Sequence, residues 1–233
     1  MDITIVIPTY NESENLPILI EKIAEVLDNS KLHGRIIVVD DDSPDETWKT
    51  ALELKNTYEN LEVLRRRDKR GLSSAVLEGF AMSRSPILGV MDADLSHPPE
   101  KIPELVGPII KGDADITIGS RYTDEGGIEK WPIGRKIYSK IATLLVLGLT
   151  DVKDPMSGFF FLRRGVIENK ELNPLGFKIG LEILVRGEYE NVTEVPILFG
   201  DRVYGDSKLG GGVVLDYLIH ISNLYIYKYI LRK

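Results

Sequence analysis

The chain contains no cysteine among its 233 residues. That absence excludes disulfides, thiolate zinc sites and thiol nucleophiles, and leaves the compartment open. A basic excess is also missing. With 29 Lys and Arg against 36 Asp and Glu, the formal net charge is -7, which argues against a broad electrostatic grip on nucleic acid. No stretch approaches the roughly 20 apolar residues that span a bilayer; the longest uncharged apolar run, Ile141 to Thr150, is too short. The opening Met1-Asp2-Ile3-Thr4 lacks the basic segment of a secretory signal and passes straight into a strand pattern. A cytoplasmic protein is expected, with attachment to the cytoplasmic face of a membrane as the open variant. What is present is 43% hydrophobic residues, enough for one substantial core.

Ile3 to Ile7 is a β-branched run stopped by Pro8, and Leu16, Leu19, Ile20, Ile23 and Leu27 follow at helical spacing. Arg35 to Val39 gives a second strand, Leu61 to Leu64 a third and Pro86 to Met91 a fourth, with helical patterns between them. A helix over Pro99 to Ile110 and a strand over Asp115 to Ile118 continue the alternation. Such a βαβ rhythm predicts an α/β fold built on a mostly parallel, doubly wound sheet. Beyond residue 120 the rhythm weakens. An apolar helix is expected at about 133–149, strands over Phe159 to Leu162 and Thr193 to Phe199, a helix over Lys178 to Arg186, and a polar, Gly-rich loop over Asp201 to Gly212. The expected organisation is a catalytic unit over 1–212 and a C-terminal amphipathic helix over 213–233. That helix either lies on a membrane surface or packs against the core or a partner.

Asp92-Ala93-Asp94 follows the fourth strand directly. Two carboxylates at the carboxyl end of a buried parallel strand lie where open α/β sheets bind ligands. The pair suits a hard divalent cation that also grips substrate phosphates. Ser96 is placed to complete that shell, and His97 need not be a ligand. Other strand-end segments join the pair on one edge. Pro8 to Glu12 offers Tyr10 for stacking on a base and Glu12 as an acceptor, although Glu12 equally suits the first turn of a helix. Asp40-Asp41-Asp42 offers Asp41 to a ligand, with its neighbours capping or packing. Arg121, Arg135, Arg202 and Lys208 are candidate anion binders. The run Arg65-Arg66-Arg67 reads as a charged strand end and turn.

Together these segments resemble the dolichol-phosphate mannosyltransferases of glycosyltransferase family 2, with the GT-A fold. The resemblance runs through Ile7 to Glu12, Val39 to Asp45, Gly71 to Ala75, Met91 to Pro99, Gly119 to Tyr122, Trp131-Pro132 with Arg135-Lys136, Asp154-Pro155 with Ser157 to Phe160, and Gly205 to Leu209. It implies inverting transfer of mannose from GDP-mannose to a dolichyl or other polyprenyl phosphate. Carried over by position, Pro8, Tyr10, Glu12, Val39 and Asp41 hold the nucleoside. Asp92, Ala93 and Asp94 meet the metal-diphosphate region, with Asp92, Asp94 and Ser96 around Mg²⁺ or Mn²⁺. Arg202 and Lys208 close over the donor, while Arg121, Arg135 and Ser139 receive the acceptor phosphate. Ser96 departs from the pattern, because some members carry Gln there and Ser is shorter. The chain also lacks the transmembrane helices that some members append, so it would reach lipid through surface helices or a small membrane-protein subunit.

A phosphate acceptor is already anionic near pH 7, so no base is needed to deprotonate it. Asp94, Arg121 and Arg135 are then the residues expected to carry catalysis, through positioning and charge. Three rival readings stand beside this one: a polyprenyl-phosphate glucosyltransferase using UDP-glucose, a nucleotidyltransferase, and a silent subunit that uses the fold only to bind a nucleotide-sugar.

Overall fold

The computed structural model describes residues 2–128, 141–200 and 211–231. In chain order its elements are β1 (Asp2–Thr9), α1 (Asn15–Ser30), β2 (His33–Asp40), α2 (Thr47–Leu54), β3 (Leu61–Arg65), α3 (Leu72–Met82) and β4 (Ile87–Val90). They continue with a 3-10 turn (Pro99–Lys101), α4 (Ile102–Lys111), β5 (Ile116–Ser120), β6 (Gly127–Ile128) and β7 (Phe160–Arg163). After a second 3-10 turn (Arg164–Val166) come α5 (Ile179–Arg186), β8 (Val192–Pro196), β9 (Leu198–Phe199) and α6 (Gly211–Ile226), which ends in a π turn (Tyr227–Leu231). Between β6 and β7, 141–144 is helical and turns follow to residue 149.

Seven strands form one sheet in the order β3-β2-β1-β4-β7-β5-β8. All run parallel except β7, which pairs antiparallel with both β4 and β5. Because two reversals cancel, β4 and β5 still point the same way as β1 and β2, and their carboxyl ends share one edge. The mostly parallel sheet expected from the sequence is what forms. The expected strand over Thr193 to Phe199 divides instead: β8 joins the large sheet, and β9 pairs with β6 in a separate two-stranded ribbon.

Strand periodicity distributes the core. On β1, Ile3, Ile5 and Ile7 face one cluster with Leu16, Leu19, Ile20 and Ile23 of α1 and Ile102, Leu105 and Val106 of α4. Val6 faces the other, with Ile37 and Val39 of β2, Val76 and Phe80 of α3, and Ile179 and Ile183 of α5. Both faces are covered, which is why the strands read as continuous apolar runs rather than alternating ones. The helices follow from spacing: the apolar positions of α1 fall at i, i+3, i+4 and i+7, and α4 stops at Gly112, whose φ of 88° provides a left-handed C-cap.

α6 is not an isolated appendage. Ile221 and Leu224 are buried with Leu181 and Val185 of α5, Met156, Val146 and Leu149. Lys228 Nζ donates to the Gly148 and Leu149 carbonyls at 3.0 and 3.1 Å. The opposite side stays bare: Ile141, Leu144, Leu147, Leu215, Leu218 and Ile230 are all exposed. Among the described residues, no helix is long and apolar enough to cross a membrane.

Candidate active site

On the carboxyl edge of the sheet, three of the loops hold a non-glycine residue in the left-handed region. Asn11 (φ 58°) follows β1, Asp42 (φ 55°) follows β2 and Leu95 (φ 62°) follows β4. Such backbone is unfavourable for a residue with a branched side chain such as Leu95 and persists only where the surroundings enforce it. The enforcement is visible. Asn11 N–H donates to Ser43 Oγ, Glu12 N–H to Thr47 Oγ1 and Ser13 N–H to Asp45 Oδ2, so the β1 and β2 loops are stitched together. Asp40 is fully buried; its carboxylate accepts from Thr9 Oγ1, Ser43 Oγ and Ser43 N–H. Asp45 caps α2 by accepting from Thr47 N–H at 3.0 Å. Glu12 lies ahead of α1 rather than in its first turn, and accepts from Nδ2 of Asn15, the first helical residue, at 2.7 Å.

Asp41, the carboxylate expected to meet a nucleoside, sits in a dense network. Its Oδ1 accepts from Arg66 Nε and Nη2, and its Oδ2 accepts from Gly71 N–H at 2.7 Å. Gly71 has φ 127°, a backbone that side chains rarely adopt, and this conformation aims its N–H at Asp41. Three of about four acceptor positions on the carboxylate are thereby used. The arginine run does form a charged strand end and turn, but its central residue is buried. Arg66 is 4% exposed and also reaches Ser74, Glu78 and the Gly71 carbonyl. Three adjacent arginines gave no hint of this, because burial of the middle one depends on α3 packing against β2. Arg65 pairs with Asp42 and lies 3.7 Å over the Trp48 ring, while Arg70 lies 5.6 Å over Tyr10. Pro8 is buried. The Val39 side chain is 0% exposed within the core, so only its main chain can face a ligand.

Past β4, Ala93 is buried at 3% exposure and turns inward. Asp94 Oδ1 accepts from Ser96 N–H at 3.1 Å and from Ser96 Oγ at 2.5 Å, a short Asx-type turn that fixes the carboxylate. His97 is 2% exposed, stacks on Phe159 at 5.3 Å and accepts from Asp92 N–H at 3.3 Å through Nδ1. Burial holds its imidazole below the ordinary value, against the pull of Asp92 and Asp94. It is therefore a neutral structural brace for the loop. Asp92 lies against Gly158, where a Cβ would come within 2.7 Å of Oδ2. Asp92, Asp94 and Ser96 offer only hard oxygen donors. Among the described residues, no group of three or more acidic or His side chains could hold a metal by itself. The donor set fits a cation bound by one or two carboxylates and completed by substrate phosphates and water.

Arg121 follows β5 and meets Asp154, a partner the sequence reading left without a role. Arg121 Nε donates to Oδ2 and Nη2 to Oδ1, both at 2.7 Å, and its backbone N–H also reaches Oδ2 at 2.9 Å. Burial opposes the guanidinium charge, but the Asp154 carboxylate outweighs it and holds Arg121 above its ordinary value. Glu194 of β8 accepts from the Lys153 and Asp154 N–H groups, anchoring that loop. Phe199 lies near both Arg121 and His97, and the Gly200 N–H donates to the Ser96 carbonyl at 3.0 Å. The β4 loop, the β5 end and the β9 end therefore converge. Arg135, Ser139, Arg202 and Lys208, with the Trp131-Pro132 and Gly205 to Leu209 segments, lie outside the described residues, as does most of the loop expected over Asp201 to Gly212.

Comparison with known proteins gives the family and the fold. The family model described as glycosyl transferase family 2 matches residues 4–169. A dolichol-phosphate mannosyltransferase of Pyrococcus furiosus is 49% identical over 96% of this chain and 64% of its own length; the chain thus spans just under two thirds of that relative. One from Saccharomyces cerevisiae is 37% identical over 98% of this chain and 89% of its own. Among solved structures, a mannosyl-3-phosphoglycerate synthase from Rubrobacter xylanophilus superposes with a TM-score of 0.67 at 18% identity, covering 97% of this chain and 74% of that one. A glucosyl-3-phosphoglycerate synthase from Mycobacterium tuberculosis, in complex with Mn²⁺, UDP and phosphoglyceric acid, gives 0.65 at 18% identity, over 97% and 78%. Identities that low speak for the fold, which is GT-A. With the family model covering most of the sheet and curated relatives aligned along nearly the whole chain, this protein belongs to glycosyltransferase family 2, among the dolichol-phosphate mannosyltransferases.

Proposed function

We propose that the chain transfers mannose from GDP-mannose to dolichyl or another polyprenyl phosphate, with inversion at the anomeric carbon. The observation that carries this reading is the convergence of a fixed carboxylate pair, Asp92 and Asp94, with the Arg121–Asp154 pair on the sheet edge that also presents Asp41 and Tyr10. Relatives named for this reaction align along nearly the whole chain. In the reaction, an oxygen of the lipid phosphate forms a bond to C1 of mannose while the bond from C1 to the diphosphate breaks and GDP departs. Asp92, Asp94 and the Ser96 position would hold Mg²⁺ or Mn²⁺, which would supply charge to offset that of the departing diphosphate.

The protein's own contribution is placement. Asp41 accepts from the base or ribose with its remaining acceptor position. Tyr10 and Arg70 flank the nucleoside, and Pro8, Glu12, Ala93 and the Val39 main chain complete that pocket. Arg202 and Lys208 close over the donor diphosphate, and Arg121, Arg135 and Ser139 take the acceptor phosphate. Bringing two anions into line is the main barrier, and fixed cations lower it without reorganising. Exposed apolar residues of 141–149 and α6 give the C-terminal region its route to a lipid surface on the cytoplasmic face. A small membrane subunit is the alternative route.

GDP release from GDP-mannose, with and without a short polyprenyl phosphate, tests the proposal. Acceptor-dependent release with mannose recovered on the lipid is expected. Release from UDP-glucose alone would move the chain to glucosyl transfer, and pyrophosphate release from a nucleoside triphosphate would make it a nucleotidyltransferase.

A further inference from the structure

The loop from Asp154 to Gly158 touches three charged groups at once. Asp154 holds Arg121, Gly158 lies against the Asp92 carboxylate, and the Met156 carbonyl accepts from Lys178 Nζ at 3.5 Å. Lys178 therefore stands across one short loop from groups at the heart of the site. No motif in the sequence gives it a part. At Gly180, two residues on, an added Cβ would come within 3.3 Å of the Ser157 carbonyl and Phe160, so the start of α5 lies close to the same loop.

For stability alone Lys178 is poorly placed. It flanks the N-terminus of α5, the positive end of the helix dipole, which disfavours a cation. Burial above all, and then the Arg121 charge, hold its ammonium below the ordinary value, while Asp92 and Asp154 act in the opposite sense. Among the described residues its ammonium bonds to the Met156 carbonyl, at the outer limit of hydrogen-bond length, and no carboxylate lies within ion-pair distance. A cation held where the fold opposes it suits an anion that arrives with a substrate. Arg121 is already neutralised by Asp154, so that pair brings little net charge. Asp92, which lies against Gly158 on the same loop, serves the metal in the proposed reaction. On the Arg121 side, Lys178 is then the cation without an ion-pair partner among the described residues.

We propose that Lys178 binds the phosphate group of the acceptor, donating from Nζ to its non-bridging oxygens beside Arg121. The assignment rests on the reading of the acceptor as a polyprenyl phosphate and names a further residue for it. A lysine ammonium is a compact point charge with three rotatable donors. It can follow the phosphate as the lipid tail settles, whereas Arg121, forked onto Asp154, cannot move.

The test compares wild type with Lys178→Met and Lys178→Arg, varying a short polyprenyl phosphate and the nucleotide-sugar separately. Lys178→Met is expected to raise KM for the lipid phosphate about tenfold or more, the scale of one charged hydrogen bond. KM for the donor should move less than about twofold, and Lys178→Arg should recover most of the loss. Equal changes in both KM values, or an unchanged lipid KM in Lys178→Met, would overturn the assignment. A second measurement needs no variant. Reductive methylation of Lys178 in the wild-type protein, followed by mass spectrometry, should be slowed by farnesyl phosphate and not by farnesol. Protection by GDP with Mg²⁺ but not by farnesyl phosphate would place Lys178 on the donor and overturn the proposal. Wild-type protein that transfers sugar to lipid phosphate while Lys178 proves indifferent strikes this assignment alone. Wild-type protein that does not transfer strikes the reaction itself, and the labelling still reports whether phosphate sits at Lys178.

Discussion

Arg121 and Asp154 form a closed, two-pronged ion pair at the end of β5, with side-chain exposures of 8% and 0%. Removing either partner leaves the other charge buried and unmatched. Asp154→Ala is therefore expected to destabilise the fold by about 3–5 kcal/mol, measured as a lowered urea midpoint. Asp154→Asn keeps one acceptor for the guanidinium, so it should lose less stability while still misorienting Arg121 and lowering turnover. An Asp154→Ala protein with an unchanged midpoint would remove the pair from the supports of the site.

Arg66 and Asp41 should act as one unit on the donor side. Arg66→Met is expected to raise KM for the nucleotide-sugar, with a smaller effect on the lipid phosphate. In a double-mutant cycle with Asp41→Asn, measured by calorimetry of GDP binding, the two effects should fall short of additivity by about 0.5–3 kcal/mol. Strict additivity would mean that Arg66 does not act through Asp41.

Ser96 orients Asp94 through its hydroxyl and its N–H. Ser96→Ala retains the main-chain bond and loses the hydroxyl. Activity titrated against Mn²⁺ should then need about 10- to 100-fold more metal, the usual penalty for loosening a ligand's support. Asp94→Ala should abolish turnover at any practical metal concentration. Near-normal activity in that variant would sink the metal assignment.

His220 of α6 and Glu182 of α5 give a pH dependence whose sign can be worked out. Burial, with the nearby Arg186 charge, holds the His220 imidazole below its ordinary value of 6.5. A depressed folded value means that the unfolded chain binds the proton more readily. The contribution to stability is present above pH 6.5 and is lost as pH falls through the folded value. Glu182 behaves oppositely: burial raises it above 4.5, so its contribution is lost as pH rises through its folded value. Melting temperatures of wild type and His220→Gln between pH 5 and 8 separate the two. The wild-type curve should drop more steeply below pH 6.5, because Glu182 is common to both proteins. Parallel curves would show that His220 does not titrate with unfolding.

Periodicity and strand-end chemistry determined much of this protein in advance. β-branched runs at Ile3 to Ile7 and Ile36 to Val39 can satisfy their burial only as interior parallel strands, and the carboxyl ends of such strands must share an edge with Asp41, Asp92 and Arg121. Asp94 and Ser96 were legible as one group because they lie two residues apart, whereas the bond between them was not. Contacts between residues far apart in sequence were decided only by the tertiary structure. Asp154 meets Arg121 across 33 positions and Arg66 meets Asp41 across 25. Lys178 enters the site only because α5 packs behind β7, the one antiparallel strand of the large sheet. Local pattern states which side chains are chemically able to act. Which of them are neutralised, buried or left with an uncompensated charge depends on packing, because the energy of a charge is set by its three-dimensional surroundings.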